Sequence, residues 1–352
     1  MTAEAVAAAL RESGGVRVVS GGTKLGWGRP IELPELSVGE LDTLVEHNEG
    51  DLTAIVQPGV PLAAARDTFA RAGQMLALDP PDDGATIGGV VATGDSGPLR
   101  HRYGAPRDLV LGMQVALPDG SLARAGSKVI KNVAGYDLAK LMTGAFGTLG
   151  VMTEVSLRLH PAPREWLTVV WRSDDPGALA ARASELTHRP LEADRLDLRW
   201  EGGSGALLVQ LCGPSAAERA GAVDGEVVED DEGLWAAQRA AQRGPVVLRV
   251  STTQERLGDV LAAARDHGAL CVARAAHGLA WLRFESADAE LIGALRARLG
   301  ACVLLDAPAE LRRAVDPWGP LTAEPLMRRV KARFDPHDVL NPGLMFPRPL
   351  PQ

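Results

Sequence analysis

The 352-residue sequence has few cysteines. It contains only Cys212, Cys271 and Cys302, which are far apart and lie among apolar residues. No CxxC pair is present, so the spacing typical of iron–sulfur and structural zinc sites is missing. We therefore expect three buried thiols and no metal held by this chain.

Long apolar runs and a basic charge balance are also lacking. No run reaches the roughly 18 apolar residues that a membrane-spanning helix needs. The formal net charge is −8, whereas nucleic-acid binding requires a basic field. Residues 1–15 include Glu4, Arg11 and Glu12 and lack the basic start of a signal peptide. We expect no transmembrane segment, no nucleic-acid partner and a cytoplasmic location.

Glycine, in contrast, is abundant, and it clusters in three stretches. Residues 20–28, SGGTKLGWG, follow a short apolar strand, and we call them the first glycine loop. Glycines permit positive φ and close backbone approach, and successive N–H groups in such a turn can hold an anion such as a diphosphate. The GxGxxG fingerprint does not fit, because Pro30 and Pro34 follow instead of a helix, and no Walker A motif is present. Taken alone, the first glycine loop is as consistent with a tight turn that binds no ligand as with a phosphate site.

Two further stretches favour a phosphate-bearing cofactor. Residues 85–97, ATIGGVVATGDSG, combine four glycines with three hydroxyl side chains, and we expect them to form an ordered loop. Residues 131–155, KNVAGYDLAKLMTGAFGTLGVMTEV, place three glycines at three-residue spacing just before a predicted strand. Three glycine-rich stretches within about 160 residues are hard to explain as turns alone.

The pattern of elements predicts more than one domain. A chain of this length suits two cores, and the proline-rich break at residues 160–165 is the first boundary. Beyond it the order strand, helix, strand, strand, helix occurs twice. That order predicts two ferredoxin-like units side by side, with an antiparallel sheet covered by helices on one face. We expect domains at 1–162 and 163–314, with residues 315–352 returning to the first.

An ordered series of motifs resembles a known family. The series is SGGTKLGWG, VQPGV, ATIGG, SGPLRHRYGAPRDLVLG, KNVAGYDLAKLMTGAFGTLGV, WGP and FDPHDVLNPG. It is similar to the FAD-linked oxidases of the vanillyl-alcohol-oxidase, or PCMH, type, and more closely to the FAD-binding subunit of glycolate oxidase. The resemblance runs in order along nearly the whole chain and is strongest over residues 16–160 and 315–346.

This resemblance implies an α+β fold with a PCMH-type FAD-binding domain of two α+β subdomains and a ferredoxin-like cap domain. Some relatives attach the flavin covalently, and His101 lies in the corresponding loop. Because Arg100 and Arg102 beside it indicate a solvated basic patch, we expect FAD held without a covalent bond. The implied pyrophosphate cradle comprises Ser20, Gly21, Gly22, Thr23, Lys24, Leu25 and Gly26. The residues implied beside the pyrophosphate, ribityl chain and flavin are Thr86, Gly88, Gly89, Thr93, Gly94, Ser96 and Gly97. The residues implied near the adenine end are Gly150 and Val151.

The catalytic residues are not evident from the sequence. Relatives that oxidise 2-hydroxy acids carry HxGDGNxH and EHGxG motifs, and here only His277 and the glycine after it remain. Oxidation of a hydroxy acid requires a base for the hydroxyl proton and a cation for the carboxylate. The candidates for the base are His277 and His101. The candidates for the cation are Arg100, Arg102 and Arg107. Equally, His277 could cap a strand and Arg100 could belong to a solvated basic patch.

Three functions stay open at this stage. The first is an FAD subunit of a complex that oxidises a small 2-hydroxy acid, with a second flavoprotein subunit and an iron–sulfur subunit as partners. The second is a stand-alone FAD-dependent dehydrogenase or oxidase of a small hydroxy acid or alcohol. The third is a flavin-free interaction protein. The sequence shows no second redox centre, so we expect electrons to leave for a separate protein. Trp27, Trp318 and residues 100–107 are candidate docking surfaces, unless both tryptophans pack internally.

Overall fold

The first part of the chain combines short helices with a small antiparallel sheet. The computed structural model describes residues 1–81, 84–127 and 138–347, so the expectation for residues 131–137 lies outside the described residues. The elements of the first part are α1 (Ala3–Glu12), β1 (Arg17–Val19), β2 (Glu35–Ser37), β3 (Leu44–Asn48), β4 (Thr53–Val56), α2 (Leu62–Arg71), β5 (Gln74–Met75), α3 (Ile87–Thr93), α4 (Arg100–Tyr103), α5 (Pro106–Leu109), β6 (Val110–Ala116), β7 (Leu122–Gly126), α6 (Leu138–Met142), β8 (Val151–Arg158) and β9 (His160–Pro161).

Two layers bury the apolar residues of this part. The main sheet has the strand order β3-β4-β8-β6-β7, and α2 and α3 contribute Phe69 and Ile87 to the core that includes Val155. A separate parallel pair, β1 and β2, packs with α1 through residues such as Leu10 and Val38. The first glycine loop lies between β1 and β2, whereas residues 85–97 precede β6 and residues 144–150 precede β8 of the main sheet, so both layers position the glycine-rich segments.

The second part is dominated by one large sheet. Its elements are β10 (Trp166–Ser173), α7 (Pro176–Thr187), β11 (Arg195–Glu201), β12 (Ser204–Cys212), α8 (Ala216–Gly221), β13 (Glu226–Val228), α9 (Glu232–Ala240), β14 (Val246–Ser251), a 3-10 turn (Gln254–Arg256), α10 (Leu257–Asp266), β15 (Leu270–Arg274), β16 (Leu279–Phe284), α11 (Ala289–Leu299), β17 (Ala301–Asp306), α12 (Ala309–Ala314) and α13 (Glu324–Phe334). We call residues 166–314 the cap region.

The sheet of the cap region confirms the two expected ferredoxin-like units. Its order is β13-β10-β12-β11-β15-β16-β14-β17, and each unit contributes four consecutive positions. All of its strand pairs are antiparallel, and β11 joins β15 across the units. One face packs on α7, α8, α10 and α11 through residues such as Leu198, Leu207 and Leu248. The opposite face, which carries Val247 and Trp281, packs against Trp27 of the first glycine loop.

The C-terminal segment lies against the first part of the chain. Leu340 forms a parallel bridge with Val16, and the side chain of Asn341 accepts a hydrogen bond from Val18 N at 2.8 Å. The Lys331 ammonium donates to the carbonyl oxygen of Thr148 at 3.0 Å. These contacts bring both ends of the described chain to one side of the glycine-rich segments. The domain limits at residues 162 and 314 stay predictions.

Several elements differ from the sequence-based expectations. Residues 85–97 are not a loop, because α3 occupies their centre; Thr86 caps its start and Gly94, at φ +65°, ends it. The cap region contains β13 and α9, which the sequence pattern did not predict. Cys271 and Cys302 are buried, whereas Cys212 is partly exposed.

The two tryptophans considered for docking are internal. Trp27 and Trp318 expose only 3% and 5% of their surface, so neither offers a surface to a partner. The indole of Trp318 donates to the carbonyl oxygen of Leu344 at 2.7 Å and packs edge-on against Phe146. Internal packing is therefore the correct interpretation.

Among the described helices, the longest is α7 with 12 residues, and none is long and apolar enough to cross a membrane.

Candidate functional site

The glycine-rich segments converge on one cleft. The first glycine loop, α3, the start of β8 and the C-terminal segment form its walls, and it encloses about 820 Å³ including its open mouth. Twelve predicted cofactor residues line it: Ser20, Gly21, Gly22, Thr23, Lys24, Leu25, Thr86, Gly88, Gly89, Thr93, Gly150 and Val151. Apolar side chains such as Ile31 and Phe146 complete the lining.

Four predicted cofactor residues lie outside this lining. Gly26 borders a separate hollow beside Arg243. Gly94 ends α3, and Ser96 follows it in a buried position. Gly97 packs so closely on Asp79 that an added Cβ would lie 1.6 Å from the carbonyl oxygen of that residue. These positions shape the walls of the cleft and do not face it.

The glycines of the cleft are required for different physical reasons. Gly22 has φ +78°, which side-chain-bearing residues rarely adopt. Gly21 and Gly88 allow close packing, since an added Cβ would lie 2.8 Å from Thr86 and 2.5 Å from Pro58. Gly89 is different, because its added Cβ would meet only the Thr86 hydroxyl, at 3.4 Å. A side chain at position 89 would therefore occupy the cleft without disturbing the protein around it.

The hydroxyl of Thr86 joins the first glycine loop to α3. It accepts hydrogen bonds from Gly89 N at 3.3 Å and from Gly21 N at 3.2 Å. It also lies 2.9 Å from the hydroxyl of Ser20. The N-cap of a helix usually satisfies only the helix's own N–H groups. Here the same oxygen also holds the loop, so the relative position of the two walls is set by one side chain.

A buried ion pair stands in the cleft wall. The Lys24 ammonium lies 3.5 Å from the Asp95 carboxylate, and each side chain exposes 4% of its surface. Lys24 also lines the cleft, together with Arg17. Backbone N–H groups, hydroxyls and two cations along an otherwise apolar groove suit a long dinucleotide with a diphosphate in its middle. The residues present thus fit FAD.

Beyond the ion pair lies what we call the cationic cluster: Arg100, His101, Arg249, Arg274 and His277. The rings of His101 and His277 meet edge-to-face, with centroids 6.1 Å apart. Partial burial, then Arg100 and His101, lower the pKa of His277 to about 4. Burial also lowers the pKa of His101. At neutral pH both imidazoles are therefore uncharged, and each has a ring nitrogen that can accept a hydrogen bond, while burial makes both of them weaker bases.

The structure thus brings together Arg100, His101 and His277, three of the five catalytic candidates from the sequence. Arg102 instead pairs with Asp194 at 3.5 Å, and Arg107 is exposed. Arg100 is half-buried, and its Nε has no hydrogen-bond partner among the described residues. The same holds for Nε of Arg249, on β14. Burial lowers the pKa of Arg249, and the charge of Asp95 partly opposes this effect. Arg249 therefore lies near Asp95, whose partner Lys24 lines the cleft, whereas the cluster residues themselves do not belong to the described lining.

Arg249 and Arg274 were missed by the sequence reasoning. Arg274 is fully buried, donates to Asp197 at 2.6 Å and bonds the side chain of Gln242, which in turn donates to the carbonyl oxygen of Ser96 at 3.1 Å. This network joins the cap sheet to the segment that follows α3. A signal was present in the sequence, because VVLRVS, LCVAR and RLDLRWE place charges inside apolar strands. Charges at such positions are buried only when they have partners or a function.

Comparisons with known proteins agree with this geometry. A family model described as an FAD binding domain matches residues 2–126. The glycolate oxidase subunit GlcE of Escherichia coli is 37% identical over 188 residues, covering 51% of this chain and 54% of that protein. A mitochondrial cytochrome-type D-lactate dehydrogenase of Arabidopsis thaliana is 42% identical over 120 residues, covering 34% of this chain and 21% of that protein. The chain thus matches about half or less of the length of these relatives.

A similar architecture occurs in a solved structure described as alkyldihydroxyacetonephosphate synthase. It superimposes with a TM-score of 0.67 over 97% of this chain and 75% of that chain, at 13% sequence identity. At that identity the likeness shows the fold alone, and it confirms the expected α+β class. Together with the matching family model, these findings confirm the resemblance that the motifs indicated. Residues 2–126 therefore form an FAD binding domain, and the cofactor of this chain is FAD.

Proposed function

We propose that FAD lies in the cleft, held without a covalent bond by the twelve predicted residues that line it. The first glycine loop, with Lys24, would hold the pyrophosphate. Thr86, Gly88, Gly89 and Thr93 would contact the diphosphate, ribityl chain and flavin. Gly150 and Val151 would contact the adenine end. Gly26, Gly94, Ser96 and Gly97 support these contacts from behind the lining.

We further propose that the chain is an FAD-dependent oxidoreductase, the FAD-binding subunit of a glycolate-oxidase-like complex that oxidises a small 2-hydroxy acid. The observation that carries this proposal is the cationic cluster beside the cleft. Three arginines and two neutral histidines next to a flavin site match the needs of a small hydroxy acid, which presents one carboxylate and one hydroxyl proton. Similarity to GlcE and to D-lactate dehydrogenases supports the same substrate class.

In this proposal the charged arginines and the uncharged histidines of the cationic cluster have different roles. Arg100 and Arg249 offer donors that lack partners among the described residues, and these donors suit a carboxylate. His277, neutral at physiological pH, is positioned to accept the hydroxyl proton, with His101 beside it. The bound flavin supplies the hydride acceptor. Arg274, held by Asp197 and Gln242, adds positive charge behind the site.

As part of the same proposal, the partners are a second flavoprotein subunit and an iron–sulfur subunit that receives the electrons. We place the complex in the cytoplasm. Purification from the native host, followed by iron analysis and cell fractionation, tests these points. A chain that runs alone, without iron, and whose reduced flavin reacts rapidly with oxygen would favour the stand-alone dehydrogenase or oxidase instead.

The decisive experiment is an anaerobic titration of the FAD-loaded chain with glycolate and with D-lactate. Bleaching of the flavin absorbance by either acid supports the proposal, and Arg249→Met and His277→Gln should then each slow it by about 100-fold or more. Arg172→Met, in an exposed pair with Glu226, serves as the control. Absence of reduction both alone and in the purified complex would refute the assignment.

A further inference from the structure

The first glycine loop is held from behind by the cap region. The Arg243 guanidinium donates to the carbonyl oxygen of Thr23 at 3.2 Å. Arg312 donates to the carbonyl oxygen of Gly26 at 2.8 Å. These arginines follow α9 and lie in α12, respectively, more than 200 residues beyond the loop in sequence. Two peptide groups of the loop are therefore oriented by residues that the FAD-binding domain itself does not contain.

Trp27 inserts the same loop into the apolar face of the cap sheet. Its ring is buried against Ala241, Val247, Trp281 and Leu305. Its indole N–H donates to Asp306 Oδ1 at 2.9 Å, at the end of β17. The loop is thus anchored by one buried aromatic ring in addition to the two carbonyl contacts.

Asp306 and Arg243 link the contacts of Trp27 to the hydrogen bond that Arg243 donates to Thr23. Asp306 Oδ2 accepts from Arg243 Nε at 2.7 Å, while its other oxygen accepts from Trp27. The Arg243 guanidinium also lies over the Trp27 ring, 5.6 Å from its centroid. We call Trp27, Arg243, Asp306 and Arg312 the clasp. Removal of Trp27, Arg243 or Asp306 leaves the other two with fewer partners, so these three should act cooperatively. Arg312 adds a separate hold on the loop through Gly26.

The clasp bears on cofactor binding because the other side of the loop faces the cleft. Residues 22–25 line the cleft, and the clasp holds the same loop at Thr23, Gly26 and Trp27. Ordering a glycine-rich segment costs more conformational entropy than ordering a segment of other residues. Contacts that order such a loop before the ligand arrives raise affinity without touching the ligand.

We propose that the clasp preorganises the first glycine loop, so that FAD binding and docking of the cap region on the loop are thermodynamically coupled. Coupling is reciprocal: if an intact clasp tightens FAD binding by some factor, bound FAD tightens the clasp by the same factor. The cap region thereby becomes a determinant of cofactor affinity. This inference rests on FAD binding and does not depend on the hydroxy-acid substrate.

The first test measures FAD affinity by equilibrium titration of the deflavinated full chain. Arg243→Met should raise the Kd for FAD between about 5- and 150-fold, the usual range for coupling between sites. Arg243→Lys, which keeps the charge and one donor, should recover part of this loss. Arg172→Met, an arginine of the same sheet in an exposed pair, should leave the Kd unchanged. An unchanged Kd in Arg243→Met overturns the proposal.

The second test uses hydrogen exchange and does not require activity. Addition of FAD should slow amide exchange in β17 and around Arg243 of the wild-type chain, and this protection should disappear in Arg312→Met. Arg312 is partly exposed and contacts the loop only through Gly26, so this variant serves even if Arg243→Met fails to fold. Equal protection in both proteins, or none in the wild type, contradicts the coupling.

Discussion

Gly89 lines the cleft, and at this position any other amino acid would place its Cβ inside the cleft. The helix itself would tolerate a side chain there, since the added Cβ meets only the Thr86 hydroxyl at 3.4 Å. Its neighbour Gly88 lacks this freedom, because Pro58 lies against it. Gly88 is thus required for close packing of the protein, whereas we expect Gly89 to be required for binding of the cofactor.

We expect Gly89→Val to abolish FAD uptake while the protein still folds. The matched control is Gly293→Val, which changes another helical glycine with no neighbour within 4 Å, on α11 of the cap region. Both variants lose about the same small amount of backbone freedom, so only the cleft distinguishes them. Flavin content after refolding with excess FAD is the measurement. Normal FAD content in Gly89→Val would show that the cofactor lies elsewhere.

His277 should make stability depend on pH. Its pKa is lowered to about 4 in the folded chain, from the ordinary 6.5. Between these values the unfolded chain takes up a proton that the folded chain resists, so the free energy of unfolding falls as pH drops through this window. His277→Gln should therefore lose less stability than the wild type between about pH 7 and about pH 5 in urea titrations. The exposed His337→Gln is the control, and equal losses in all three proteins would contradict this account.

Among the elements, α3 shows where sequence reasoning fails. Its two glycines at positions 88 and 89 lower helix propensity, by roughly 1 kcal/mol each relative to alanine, and they favour the interpretation of a loop. Tertiary contacts outweigh that preference, because Ile87 and Val91 are fully buried and Thr86 caps the first turn. The helix depends on its surroundings for stability, and single-sequence patterns do not reveal those surroundings.

The strands of the cap region were easier to predict from the sequence than α3. β16 has the predicted limits, Leu279–Phe284, because its apolar run is bounded by clear turn residues. The short edge strand β13 was missed, since only three residues pair and three acidic residues, 229–231, follow it directly. Which face of a strand meets the cleft also remained unknown, and for this reason Arg249 and Arg274 could not be assigned. Which face of a strand is turned toward the cleft depends on packing against segments distant in sequence, such as the loop that contains Trp27.

The capping hydroxyl of α3 gives a prediction at this scale. Thr86→Val keeps the shape of the side chain but leaves Gly89 N and Gly21 N without their acceptor. We expect the free energy of unfolding to fall by about 0.5–2 kcal/mol, the usual range for loss of an N-cap, with weaker FAD binding. Thr86→Ser keeps the hydroxyl and should retain most of both. Urea denaturation and FAD titration of the two variants decide the point, and equal behaviour would rule out the hydroxyl as the cause.

For the whole molecule, cofactor and stability should be linked. The cleft is built from the first part of the chain and from the C-terminal segment, and the cap region contacts its first glycine loop. A ligand that binds only the folded chain adds about 2.7 kcal/mol to the free energy of unfolding at 100 times its Kd. FAD should therefore raise the thermal midpoint of the wild type and leave that of Gly89→Val unchanged. A thermal midpoint that does not respond to FAD would contradict this linkage.

The contact between Asn341 and the first strand also bears on how the protein is made. Asn341 lines the cleft, and its side chain bridges Val18 N and the carbonyl oxygen of Phe146. A ribosome that adds roughly 5–20 residues per second releases Val18 tens of seconds before Asn341. During that interval the nascent chain has a cleft with one wall missing. We therefore expect stable FAD capture only after Asn341 has been synthesised, and not while the C-terminal wall of the cleft is still missing.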